Sequence, residues 1–283
     1  MQSLMRGIDD VLIGADQPFG VSRKLSYQMV ADCYTGRVLY VTFRTPADLS
    51  QWLPPPLQMG NVHEGFLKLY ELKRRPEGGL PNPPAFSEYT EACITVLAAP
   101  PGEVLRHYNL FMWVSHDWAL YKGRSAFGWP KKIASTVMAF SYPNGDKTDA
   151  DRQLCELNVD VDRYGYPLMR VKARLDPAAS AGQKKPFNGF YTIRHIPAPV
   201  DGGEDIRELL VIETRNGWSR DEIWGEATVE FSDAPDEELG ILGPVEVTDC
   251  VLMNTGWVLP AWPARRLLRL DSLPTDLGEA RPC

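Results

Sequence analysis

Proline and glycine interrupt this chain too often for long helices: 24 prolines and 23 glycines are scattered through its 283 residues. Proline removes a backbone donor and glycine weakens a helix interior, so the chain is cut into short segments joined by turns. That punctuation favours a β-rich architecture over a helical bundle. Between the breaks lie β-branched and aromatic runs that suit a pleated surface. The clearest is Arg37-Val-Leu-Tyr-Val-Thr-Phe-Arg44. Further strands are predicted at about 65–71, 87–97, 107–114, 133–141, 154–161, 167–175, 189–196, 207–215, 226–232 and 245–253. In the run Ala227-Thr-Val-Glu-Phe231, Ala227, Val229 and Phe231 fall on one face and Thr228 and Glu230 on the other. Asn144-Gly145, Tyr164-Gly165 and Asp201-Gly202-Gly203 mark turns.

Two short helices are expected. One follows Thr45, which caps it, with Pro46 at its first position and Asp48 in its first turn; Pro54-Pro55-Pro56 ends it. The other lies near Trp262–Leu270, with Arg265, Arg266 and Arg269 on its polar side. Residues 1–24 read as an N-terminal extension or arm, and 25–283 as a single, mainly β, antiparallel domain with a few short helices.

Several function classes fall away. The net charge of −7 and the lack of a long Lys/Arg block do not suit a nucleic-acid binder. No apolar run approaches the roughly 18–20 residues needed to span a bilayer. Asp9, Asp10 and Asp16 interrupt what would have to be the apolar core of a secretory signal, so a cytoplasmic protein is expected. The five cysteines contain no CxxC pair and the four histidines show no HExxH or HxxxH spacing, so neither a disulfide framework nor a metal site is expected. There is no GxSxG elbow, phosphate loop or dinucleotide fingerprint, and no cofactor is expected.

Two lysine doublets remain. Lys184-Lys185 lies in a polar loop and reads as a solvated surface. Lys131-Lys132 lies in Ala126-Phe-Gly-Trp-Pro-Lys-Lys-Ile-Ala134, where apolar neighbours disfavour an ammonium. A nucleophilic amine must be neutral near pH 7, and lowering a lysine by roughly 4 units takes about 5 kcal/mol. A second ammonium about 6 Å away would supply roughly 3 kcal/mol at an effective dielectric of about 20. Neighbours in an extended strand point to opposite faces, so convergence of the two amines would require a bend, for which Pro130 is the candidate. Otherwise desolvation by Phe127, Trp129 and Ile133 must dominate. A proton shuttle is also needed. In Ser87-Glu-Tyr-Thr-Glu91, Glu91 shares a face with Tyr89 and Cys93, and Glu88 lies on the other face.

The run Gly123-Arg-Ser-Ala-Phe-Gly-Trp-Pro-Lys-Lys132 resembles the lysine signature of the acetoacetate decarboxylase family, the known case of a lysine activated by desolvation or a cationic neighbour. Tyr89-Thr-Glu91 resembles the segment bearing the family's glutamate. Phe190-Tyr-Thr-Ile-Arg-His-Ile-Pro197 with Ile206–Ile212 resembles a later hairpin. The resemblance implies an antiparallel β-cone or closed barrel, assembled as a homo-oligomer. It implies Lys131 as Schiff-base nucleophile, Lys132 as its electrostatic neighbour and Glu91 as the acid, with Arg37, Tyr89, Phe127 and Trp129 as candidate substrate-binding residues. The implied partner is a small β-keto or 2-oxo acid. Two departures stand out: the family's substrate-side arginine falls at Gly36, beside Arg37, and its other acid falls around Leu67-Lys68. The 77–86 loop is also longer. Decarboxylation, aldolase–dehydratase chemistry on a pyruvate-type substrate, and a non-Schiff-base hydratase, isomerase or binding protein all remain open at this point.

Overall fold

The computed structural model describes residues 31–77, 88–141, 155–183, 187–200, 203–260 and 264–270. The expected arm at 1–24, most of the 77–86 loop, Lys184-Lys185 and the Asn144-Gly145 turn lie outside these. The strands are β1 (Asp32–Arg44), β2 (Gln58–Met59), β3 (Glu64–Pro76), β4 (Glu88–Ala99), β5 (Arg106–Val114), β6 (Lys131–Ile133), β7 (Ser135–Ser141) and β8 (Cys155–Arg163). They continue as β9 (Tyr166–Leu175), β10 (Phe190–Ile196), β11 (Ile206–Ile212), β12 (Arg215–Phe231), β13 (Asp233–Ala234), β14 (Glu237–Glu238), β15 (Glu246–Leu259) and β16 (Ala264–Arg269). One α-helix, α1 (Asp117–Phe127), lies between β5 and β6.

The mainly β expectation holds. Most strands join one sheet in the order β16-β11-β10-β5-β4-β3-β1-β15-β12-β9-β8-β7. The ladder is open rather than closed by hydrogen bonds, and it is mixed, because β5 pairs in parallel with both β6 and β10. Its β7 end nevertheless folds back against β4 and β5, so the sheet wraps around two interiors.

This wrapping explains why β1, β3 and β4 are apolar on both faces. Leu39, Val41, Leu67, Leu69, Ala92 and Ile94 enter the main core with Leu157, Val159 and Val171 of β8 and β9. The alternate residues of the same strands face a second interior, the pocket described below. Ala227, Val229 and Phe231 pack on the main core as their alternation predicts, while Thr228 and Glu230 are exposed. Tyr164 and Gly165 both take positive φ (54° and 85°), as a two-residue hairpin turn between β8 and β9 requires.

Both expected helices are corrected. After Pro46 there is only a 3₁₀ turn, Leu49–Trp52, capped by Asp48 rather than Thr45. The Thr45 hydroxyl instead accepts the Ala47 N–H (3.1 Å) and donates to the Leu242 carbonyl (2.5 Å). Residues 264–269 form strand β16, antiparallel to β11, with a bulge between the Leu209–Leu268 and Leu210–Arg266 pairs. That extra residue breaks the two-residue alternation, so the arginines imitate a helical face. Conversely, α1 was not expected. Among the described residues no helix is long and apolar enough to cross a membrane.

Candidate active site

The lysine motif is a helix end that delivers one side chain. Helix α1 terminates at Gly128, whose φ of 72° is left-handed. The Gly128 N–H donates to the Arg124 carbonyl (3.1 Å) and the Trp129 N–H to the Gly123 carbonyl (3.0 Å). The first bond is the five-to-one closure of an αL helix end, with the left-handed glycine just past the last helical residue. A Cβ at position 128 would also lie 2.5 Å from the Ile193 carbonyl of β10. Across Pro130 the Lys131 N–H donates to the Trp129 carbonyl (2.8 Å), a tight turn that starts β6 beside β5. Gly123 faces the lysine's stem: a Cβ there would lie 2.5 Å from Lys131 Cδ and 2.8 Å from Cε. The Arg124 guanidinium donates to the Lys131 carbonyl at 3.1 Å. Each conspicuous residue of the motif therefore shapes where the Lys131 amine sits.

That amine meets the expected acid. Lys131 Nζ lies 2.6 Å from Glu91 Oε2, with the two side chains 5% and 10% exposed. It sits 5.0 Å from the centre of the Trp129 ring and 6.0 Å from that of Tyr89. The Cys93 thiol donates to Glu91 Oε1 at 3.5 Å. Burial first, then the Glu91 charge, pushes that thiol well above its usual range, so it stays protonated. The same two causes lead for Tyr89, and burial followed by Cys93 and Glu91 for Tyr70; both phenols are held well above 10.0 and remain hydrogen-bond donors.

Pairing register brings these groups together. Tyr40 of β1 faces Lys68 of β3, Lys68 faces Cys93 of β4, Cys93 faces Met112 of β5, and Met112 faces Lys131 of β6. The neighbouring row runs Val38, Tyr70, Glu91. Both rows line a cavity of about 630 Å³, closed on other sides by Trp129, Phe187, Phe190 and Trp257. A volume of this size suits a small organic ligand.

Of the sequence-predicted residues, Lys131, Glu91, Tyr89 and Trp129 line this cavity. Lys132 does not: the pleat turns it to the opposite face, where its amine lies 2.8 Å from the buried Glu237. Pro130 therefore does not turn the two amines to one face: Lys131 lines the cavity and Lys132 pairs with Glu237 outside it. Phe127 is buried beneath the site, its ring 5.0 Å from that of Trp129, outside the cavity lining. Arg37 lies in a separate outer groove, bonded twice to Glu71 (2.7 and 3.1 Å) and 4.3 Å above the Phe140 ring. At Gly36 β1 approaches β3 so closely that any Cβ would strike the Glu71 carbonyl. No arginine fits there.

Sequence reasoning missed Lys68 and His107. Lys68 is buried in the cavity wall, and its Nζ lies 2.9 Å from His107 Nδ1. Burial lowers this amine to about 8, against the upward pull of Cys93 and Glu91. The available signal was a lone charge between Leu67 and Leu69 in an otherwise apolar run. Among the described residues, no three His, Cys, Asp or Glu side chains gather as metal ligands do.

Comparison with known proteins agrees with this architecture. Residues 16–264 match the family described as acetoacetate decarboxylase (ADC). The acetoacetate decarboxylase of Paraburkholderia xenovorans (strain LB400) is 31% identical over 220 residues, which is 74% of this chain and 76% of that one. An acetoacetate decarboxylase-like enzyme from Sphingomonas wittichii RW1 shares the fold with a TM-score of 0.77 at 23% identity, over 89% of this chain and all of that one. The enduracididine biosynthesis enzyme MppR, solved with the condensation product of pyruvate and imidazole 4-carboxaldehyde, superposes with a TM-score of 0.73 at 18% identity, covering 89% and 98% of the two chains. With most of its length matched, this chain belongs to the acetoacetate decarboxylase family.

Proposed function

We propose that this protein is a Schiff-base lyase that decarboxylates a small oxo acid through an iminium on Lys131, with Glu91 as proton relay. The contact that carries the reading is the 2.6 Å approach of Lys131 Nζ to Glu91 Oε2 inside an aromatic cavity. Transfer of one proton from the ammonium to Glu91 gives a neutral amine and a neutral acid. The amine attacks the substrate ketone, and Glu91 returns the proton to the carbinolamine oxygen, which leaves as water. The iminium then accepts the electron pair of the breaking C–C bond, carbon dioxide departs, and the resulting enamine is protonated at carbon. Hydrolysis frees the product and Lys131.

Borohydride reduction during incubation with acetoacetate or pyruvate, followed by intact mass and peptide mapping, tests this. A stable adduct on Lys131 is the expected result. A panel of oxo acids that leaves Lys131 unmodified would overturn it.

A second reading, C–C bond formation and dehydration on a pyruvate-type acid, shares the iminium and is favoured by the cavity's volume, which exceeds what a four-carbon acid fills. Retention of carbon dioxide in the product distinguishes the two. The proposal includes a cytoplasmic homo-oligomer that uses no cofactor, and sedimentation of the purified chain checks its assembly.

A further inference from the structure

The cavity holds a second amine that the proposed chemistry does not use. Lys68 lies three strands from Lys131 along one row of the sheet, a Cα separation of about 14 Å at ordinary strand spacing. Both side chains reach inward, since both amines act on the Cys93 thiol between them. Their partners differ in kind. Lys131 is matched by the Glu91 carboxylate, whereas Lys68 is bonded to an imidazole and, among the described residues, is in contact with no carboxylate. When Lys68 is an ammonium it donates to Nδ1, which fixes His107 as a neutral ring with its proton on Nε2. Three rings surround the amine, with centres at 5.8 Å (Tyr40), 5.9 Å (Phe187) and 5.5 Å (Phe190). Glu91 acts on this amine without touching it, so among the described residues the direct contacts of a buried cation are all neutral, which is the setting of an anion site.

From this geometry we infer that Lys68 and His107 bind a second carboxylate, so that the substrate is a short oxo dicarboxylic acid whose ketone meets Lys131 and whose far carboxylate meets Lys68. The carboxylate held there is the one that stays. A cation paired with the leaving carboxylate would stabilise the ground state and slow its loss as carbon dioxide. This inference rests on the Schiff-base reading for the ketone end only; the anion end stands on its own.

The test separates the two. Calorimetry with unreactive glutarate and butyrate reads the anion site without any covalent step. At pH 7 the full-length protein is expected to bind glutarate at least tenfold more tightly than butyrate. Lys68→Met is expected to remove that preference and Lys68→Arg to retain most of it, with thermal melts checking that each variant is folded. The wild-type protein provides a readout that needs no variant. The groups facing Lys68 are Tyr40, Tyr70, Glu91, Cys93, His107 and Lys131. Lys68 is charged below about 8 and neutral above it, so the preference is expected to fall at least fivefold between pH 7 and pH 9.5. Equal affinity for the two acids in the wild type, or a preference that survives in folded Lys68→Met, would overturn the inference.

Borohydride trapping then compares 3-oxoglutarate with acetoacetate. Adducts on Lys131 at lower concentration of the diacid support both ideas. Adducts with no diacid preference remove this inference alone. A glutarate preference without any Lys131 adduct removes only the Schiff-base reading.

Discussion

At the residue scale the proposed chemistry depends on a proton passing between Lys131 and Glu91. Glutamine at position 91 keeps the size of the side chain and loses the ability to carry that proton. Glu91→Gln is therefore expected to slow iminium formation by about 10²-fold or more, within the range for a lost general acid–base group. Single-turnover borohydride trapping measures this, and a rate within threefold of wild type would exclude Glu91 as the relay. Much of this pair is legible in the sequence. The apolar setting of Lys131 marks it, and alternation puts Glu91 with Tyr89 and Cys93. The side taken by Lys132 was left open by the sequence, because it turns on whether Pro130 bends the chain, and the structure puts it opposite Lys131. Lys68 left only a lone charge in an apolar run as its signal, because placing it in a cavity wall requires knowing that β3 is buried on both faces. That depends on strands far away in sequence wrapping around it.

At the element scale α1 and β6 act as one positioning unit. Gly123→Ala should favour the helix by about 1 kcal/mol in propensity, yet the added methyl would occupy space now filled by the Lys131 stem. The expected outcome is a protein that melts within a few degrees of wild type while trapping at Lys131 falls at least tenfold. Normal trapping would show that the stem has room to move. On the other face of β6, Lys132 satisfies Glu237, which also accepts from Trp113 Nε1 at 3.2 Å. Lys132→Met leaves a buried carboxylate short of a partner and is expected to cost roughly 1–3 kcal/mol by urea denaturation. Trapping per folded molecule should change far less, which is the reverse of the Gly123→Ala pattern. Helix α1 escaped sequence reading because prolines and glycines dominated the argument, although Asp117 in its first turn and Gly128 after its last were visible signals. Strand β16 was hidden by its bulge. Regular strands such as β9 and β12's second half were legible because their period of two is intact.

At the scale of the whole molecule, an open sheet must hold its cavity side in shape without a closing row of hydrogen bonds. One buried cluster joins three parts of that side. Asp32 opens β1 and is fully buried; its carboxylate lies 2.8 Å from Arg74 near the end of β3 and contacts the Lys122 amine of α1. Burial lowers the Lys122 amine, and the adjacent Asp32 charge opposes that shift, so the carboxylate keeps the helix's cation tolerable inside the protein. Asp32→Asn would leave two cations facing a neutral amide. Breaking such a pair from one side typically costs about 3–5 kcal/mol. Taking about 3 kcal/mol, a chain of this size should melt about 6–12 °C lower. Lys122→Met alone should cost less, since Arg74 still pairs with Asp32. Adding it to Asp32→Asn should recover part of the loss, because the second change removes one of the stranded charges. That non-additivity is the signature of a direct pair. Since α1 carries Gly123, a helix released from β1 should also loosen the Lys131 stem, so trapping in Asp32→Asn should fall even at temperatures where the protein remains folded. Additive melting shifts in the double variant would instead mean that the sheet and helix are held together by the apolar contacts of Trp118, Ala119 and Phe127 alone.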